Sequence, residues 1–388
     1  MGKFLILIII ATLFFTSSCG GQRPDAHQPE GPQEPQEPTQ EEKEALFIEA
    51  LLDDMSLEEQ IAQLFILIPG ADTDGAGGYI LFGENITTIE STRAFTDGLR
   101  NSSRIPPFIC IDEEGGAVSR LAAAKLPGYS AQPTAQKIGA TGDVQNAYDA
   151  GEEIGRALAE IGVNVNFAPV ADVLINSKNT AIGNRSYGGD PALVSDMASA
   201  FQAGLKSGGV MSSPKHFPGH GATEADPHNR PATFERTLRE LSSVEYRPFN
   251  RLIEEGAEFI MAGHIIALGI EPDELPATLS GYFVTNVLRG ELGFDGIIVT
   301  DAMNMGAIKN KYTSAEAAVM AIKAGVDMVL MPDDYRKAAD GVLQAVADGA
   351  VSEERIRRSL ERILHIKLSS GLMQADIFSE PPASDRNR

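Results

Sequence analysis

Residues 209–231 read GVMSSPKHFPGHGATEADPHNRP, an apolar run that ends in Lys215 and His216 and then breaks at Pro218, Gly219 and Gly221. That order is expected of a buried strand whose polar tip opens into a loop. Three of the six histidines, His216, His220 and His228, fall inside this one segment.

The same pattern recurs along the chain. Apolar runs stand at Leu64 to Ile68, Gly78 to Phe82, Phe108 to Ile111, Val163 to Phe167, Gly209 to Ser213, Phe259 to Ala262, Gly296 to Thr300 and Met328 to Met331. Most are separated by stretches of helical periodicity, including Thr88 to Arg100, Val144 to Ile161, Pro191 to Ser207 and Ser314 to Ala324. Short apolar runs without polar alternation, alternating with helices, read as parallel strands covered on both faces. Eight such units predict a closed α/β fold, a TIM-type (β/α)₈ barrel, as a single catalytic domain over residues 44–371. A doubly wound open sheet is the alternative, but no glycine-rich phosphate fingerprint opens a helix after any run; Glu113-Glu114-Gly115-Gly116 is the nearest approach.

In a barrel, polar residues should collect just after the strands. Strand three runs into Asp112-Glu113-Glu114 with Arg120 behind it, strand four into Asp172 with Asn184 and Arg185 in its loop, and strand five into Lys215-His216. His264, Asp301 and Asp333-Asp334 follow strands six, seven and eight. Asp301, after Ile297 to Thr300, suits a carboxylate nucleophile or, more plainly, a helix N-cap. His228 suits a general acid/base, because Asp226 two residues earlier can orient its imidazole. Asp112, Arg120, Arg185 and Lys215 suit a clamp for a hydroxyl-rich ligand, although each alone could be a surface ion pair. No metal is expected, since no HExxH or compact Cys/His set occurs and Lys215 adjoins His216. Cys110, inside strand three, reads as core.

The ends of the chain read differently. Lys3 and the apolar run Phe4 to Phe15 have the layout of a signal peptide, and Ser17-Ser18-Cys19 resembles a lipoprotein cleavage box. Residues 1–19 are therefore expected to be removed up to a lipidated Cys19, which would tie the protein to a bacterial membrane outside the cytoplasm. Residues 20–43, rich in Pro, Gln and Glu, read as a disordered tether, and residues 372–388 as a polar tail. A net charge of -22 argues against nucleic acid as a partner.

The motifs IDEEGGAVSRL, NFAPVADV, GNRSYG, KHFPGHG followed by DPH, and ELGFDGIIVTDAM together resemble the β-N-acetylhexosaminidase branch of glycoside hydrolase family 3, over about Leu46 to Gly371. The resemblance implies a monomeric, cofactor-free enzyme of the single-domain form that releases terminal β-linked N-acetylglucosamine from peptidoglycan fragments or related glycans. It implies Asp301 as nucleophile, His228 with Asp226 as acid/base, and Asp112, Arg120, Arg185, Lys215 and His216 as sugar-binding residues. A phosphorylase, a β-glucosidase or a silent sugar-binding lipoprotein are the alternatives. Ala117 stands where an arginine is common in the family and Ala222 where an aspartate is usual, which bears on specificity rather than chemistry.

Overall fold

The computed structural model describes residues 38–70, 75–224, 232–271 and 273–374. The signal segment, Cys19, most of the tether, the loop holding Asp226 and His228, and nearly all of the tail lie outside the described residues.

Eight short parallel strands form the inner wall: β1 (Phe65–Leu67), β2 (Gly78–Leu81), β3 (Phe108–Ile111), β4 (Val165–Asn166), β5 (Met211–Ser212), β6 (Phe259–Ala262), β7 (Ile297–Thr300) and β8 (Val329–Leu330). Each is buried along its whole length, as the unalternated apolar runs require. Helices pack outside them, among them α1 (Gln40–Asp54), α2 (Leu57–Ala62), α3 (Ile89–Asn101), α4 (Val144–Glu160), α5 (Pro191–Ser207), α6 (Tyr246–Glu254), α7 (Ser314–Ala324), α8 (Tyr335–Ala347) and α9 (Glu353–Ser369). The capping box read from Ser56 and Glu59 starts α2, with the Ser56 N–H donating to Glu59 Oε2 at 2.8 Å and the Glu59 N–H to Ser56 Oγ at 3.2 Å.

The expected closed (β/α)₈ barrel is corrected by the pairing of these strands. The regular sheet is an open, six-stranded half-barrel in the order β8-β1-β2-β3-β4-β5, while β6 and β7 form a separate parallel pair with Phe259 opposite Ile297. Among the described residues only isolated bridges, Phe217 with Ala262 and Val299 with Met328, span the two junctions. The local chemistry explains both breaks. Beyond β5 the chain runs through Pro214 and Pro218, which have no N–H to offer a ladder. At the other junction β8 has two residues and is followed directly by Met331, whose φ is 47°. Apolar periodicity counts strands; it does not report where a ladder lapses.

The end of the wall remote from the polar strand tips is closed by apolar contacts and one buried lysine. Phe108 of β3 meets Phe259 of β6 edge to face at 5.1 Å. Lys367, reaching in from α9, lies 5.0 Å over the Phe108 ring and donates to Gln63 Oε1 at 2.8 Å. Cys110 is buried beside them, and burial pushes its thiol above its ordinary range.

Candidate active site

Asp301 is the first residue past β7, and its backbone N–H is held by the carbonyl of Ala262 on β6 at 2.8 Å. Its carboxylate accepts from the N–H of Ala302 at 2.7 Å. It caps no helix, since the next one, Gly306–Lys309, is entered from Met305. Burial alone would raise this carboxyl. The His264 and His216 rings, the Ala302 N–H and the Lys215 ammonium outweigh it and hold Asp301 below the usual carboxylate range. His264, buried at the tip of β6, donates from Nε2 to the Ala302 carbonyl at 3.0 Å and meets Thr278 Oγ1 through Nδ1 at 2.9 Å. Burial lowers its pKa below the usual imidazole range, against the opposing pull of Asp301 and the Ala302 carbonyl.

Opposite lies a network of ion pairs built from three strand tips. Lys215 Nζ sits 2.7 Å from both Asp112 Oδ1 and Glu114 Oε1. Arg185 holds Glu114 in a two-pronged contact, Nε to Oε2 and Nη2 to Oε1, each at 2.8 Å. Arg120 stands 3.7 Å from Asp112 and lies over the Phe82 ring. Burial would raise Glu114 and lower Lys215, but Lys215 and Arg185 hold Glu114 below the usual carboxylate range, and Asp112 and Glu114 hold Lys215 above the usual ammonium range against the repulsion of Arg185.

The loop that carries Asp112 and Glu114 is pinned from below. Asn166 of β4 accepts the Glu113 N–H at 2.9 Å and donates to the Glu113 carbonyl at 2.8 Å. The Glu113 carboxylate, fully buried, takes the Leu121 N–H and the Tyr129 hydroxyl. The glycine pair therefore serves a hairpin, Glu113–Gly115 with Val118–Ser119, whose turn places Gly116 at a φ of 58°. Ala117 is at its exposed tip.

Asp172 organises the loop after β5. It takes the ring Nδ1–H of His216 at 2.7 Å and the backbone N–H of His220 at 2.6 Å. Gly221 is locked against Val173: a Cβ there would stand 1.8 Å from that carbonyl oxygen. In the sequence Asp172 and Glu114 read only as polar residues near strand tips. The signal available was their place at strand tips of the same end of the wall, and it names no partner.

Asp112, Arg120, Arg185, Lys215, His216 and Asp301 all line one cavity of about 320 Å³ at the strand tips. Glu114, His220, Asn304 and Met305 line it too. Asp333 and Asp334 do not; Asp333 faces Lys309, and Asp334 caps α8 through the Lys337 N–H. Among the described residues no group of three or more His, Cys, Asp or Glu could hold a metal ion, and no helix is long and apolar enough to cross a membrane.

The model of the glycosyl hydrolase family 3 N-terminal domain matches residues 71–366. A beta-hexosaminidase of Chromobacterium violaceum is 36% identical over 277 residues, 70% of this chain and 75% of its own. Beta-hexosaminidase LpqI of Mycobacterium tuberculosis is 33% identical over 298 residues, 75% of each chain. Among solved structures, a family 3 beta-N-acetylglucosaminidase from Paenibacillus superposes with a TM-score of 0.78 at 36% identity, over 82% of this chain and 63% of that one. A protein described as beta-glucoside phosphorylase BglX superposes with a TM-score of 0.79 at 26% identity, over 86% of this chain and 61% of that one.

Proposed function

This chain belongs to glycosyl hydrolase family 3 and is a glycoside hydrolase, and from that premise we propose that it is a retaining, exo-acting β-N-acetylhexosaminidase. The observation that carries the reading is the convergence of Asp301 with the Asp112, Arg185, Lys215 and His216 cluster on one cavity of a size that suits a small ligand. Relatives named beta-hexosaminidase and a solved structure named beta-N-acetylglucosaminidase favour N-acetylglucosamine over glucose as the sugar.

In this reading the ionised Asp301 attacks the anomeric carbon, forming a carboxylate to C1 bond as the bond from C1 to the leaving oxygen breaks. His228, oriented by Asp226, gives its proton to that oxygen. It then removes a proton from the water that displaces the sugar from Asp301. The ion-paired cluster is already formed and charged before substrate arrives, so its donors need no reorganisation to meet sugar hydroxyls.

The substrate proposed is a terminal β-linked N-acetylglucosamine on a peptidoglycan fragment or a related glycan. Anchorage through a lipidated Cys19 would put the enzyme where such glycans occur. Mass spectrometry of the native N-terminus, finding no lipid on Cys19, would remove that part of the proposal.

The deciding experiment is release of a chromophore from matched β-N-acetylglucosaminide and β-glucoside, each with and without inorganic phosphate. Preference for the N-acetyl sugar, with free N-acetylglucosamine as product at any phosphate concentration, is expected. A sugar 1-phosphate as the main product would replace hydrolysis with phosphorolysis, and a preference for glucoside would overturn the substrate.

A further inference from the structure

His220 sits four residues beyond His216 in the loop after β5, with 2% of its surface exposed. Everything but one ring atom is tied down. Its N–H donates to Asp172 Oδ1 at 2.6 Å, its carbonyl accepts from Asn179 Nδ2 at 2.8 Å, and its Nδ1 meets Thr223 Oγ1 at 2.8 Å. The ring packs edge-on against His216 at 5.9 Å. Nε2 has no hydrogen-bond partner among the described residues, although the imidazole lines the cavity shared with Asp301 and Lys215.

A buried polar atom without a partner is rare and asks for one. The other imidazoles of the wall are already engaged: His216 points Nδ1 at Asp172 and its Nε2 toward Arg185, and His264 uses both nitrogens within the protein. Among these imidazoles His220 alone keeps a ring nitrogen without a partner, on a ring that lines the cavity.

Resting on the glycosidase reading above, we propose that His220 Nε2 is a sugar-binding and specificity-determining atom, hydrogen-bonded to a hydroxyl or the amide of the sugar ring that Asp301 attacks. Burial lowers the pKa of this histidine, so it binds as a neutral imidazole. A neutral partner adds direction without adding charge, which suits an uncharged sugar beside an already formed ion-pair network.

Two substitutions separate this role from a structural one. Glutamine reaches with its amide to the place of Nε2, whereas asparagine reaches only to that of Nδ1 and can keep the Thr223 contact. The proposal expects H220Q to hold N-acetylglucosamine within a few-fold of the parent protein in calorimetric titration. It expects H220N to lose about tenfold in that affinity and in kcat/KM, with an unchanged denaturation midpoint. The reverse order, H220N binding normally and H220Q weakened and destabilised, overturns the proposal and leaves His220 as a loop anchor. Equal binding by both variants and the parent also overturns it. A parent protein that neither binds N-acetylglucosamine nor cleaves its glycosides sinks the glycosidase reading itself, a result these variants do not produce.

Discussion

Lys215 Nζ and Glu114 Oε1 stand 2.7 Å apart although both side chains are almost wholly withdrawn from solvent. A buried pair of this kind is costly to break from one side, because the survivor keeps its charge and loses its partner. Glu114→Ala is expected to lower unfolding free energy by about 3 to 5 kcal/mol and to weaken sugar binding with it. Urea denaturation checks the first effect and titration with N-acetylglucosamine the second. Because the Glu114 pKa is held below its unfolded value, its contribution is present above the ordinary carboxylate range and lost as pH falls through the folded pKa. The variant should accordingly lose the steepest part of the acid limb.

Asp301 contacts no cation directly in the described structure, and its loss should spare the cluster across the cavity. Asp301→Ala is expected to cut turnover on the order of 10³-fold or more while N-acetylglucosamine binding changes little. A fluorinated hexosaminide that slows the second step should label the peptide VTDAMNMG in the parent protein. Label on another carboxylate would move the nucleophile.

His228 lies outside the described residues, so its assignment rests on the DPH motif and is tested by chemistry. His228→Ala should slow glycosides with poor leaving groups far more than activated phenyl glycosides, since only the former need a proton. Equal losses across a leaving-group series would take His228 out of the acid role.

Lys367 gives a prediction about pH. Burial brings its pKa down to about 7, against the partial support of Cys110. The unfolded chain therefore binds a proton that the folded chain releases between about pH 7 and the ordinary lysine pKa, and stability rises with pH across that window. The slope should approach about 1.4 kcal/mol per pH unit. Lys367→Met, placing a matching apolar stem over Phe108, should flatten that dependence in a series of urea titrations. An unaltered slope would assign it elsewhere.

The strands and the polar residues at their tips were legible because both are written in local pattern. Phe259 to Ala262 is wholly apolar and buried, and Asp301 follows directly on such a run. Partnership was not legible. Glu114 grips Arg185, 71 residues away in sequence, and nothing in IDEEGG distinguishes it from Glu113, which instead braces its own hairpin. His220 reads as one more loop histidine until its neighbours are seen to satisfy all of it except Nε2. The lapse of the ladder after β5 is visible in Pro214 and Pro218 afterwards, yet prolines in a loop-like run announce a turn as readily as an interrupted sheet.

Among the described residues the charged groups lining the cavity balance: Asp112, Glu114 and Asp301 against Arg120, Arg185 and Lys215. The whole chain, by contrast, carries -22. Ionic strength should therefore act on arrival and not on capture. Pairs this close are scarcely screened, whereas the long-range repulsion of an anionic glycan fades within a Debye length of about 8 Å at 0.15 M salt. Raising sodium chloride from low to physiological levels should lower KM for an anionic muropeptide and leave that for a neutral chito-oligomer where it was.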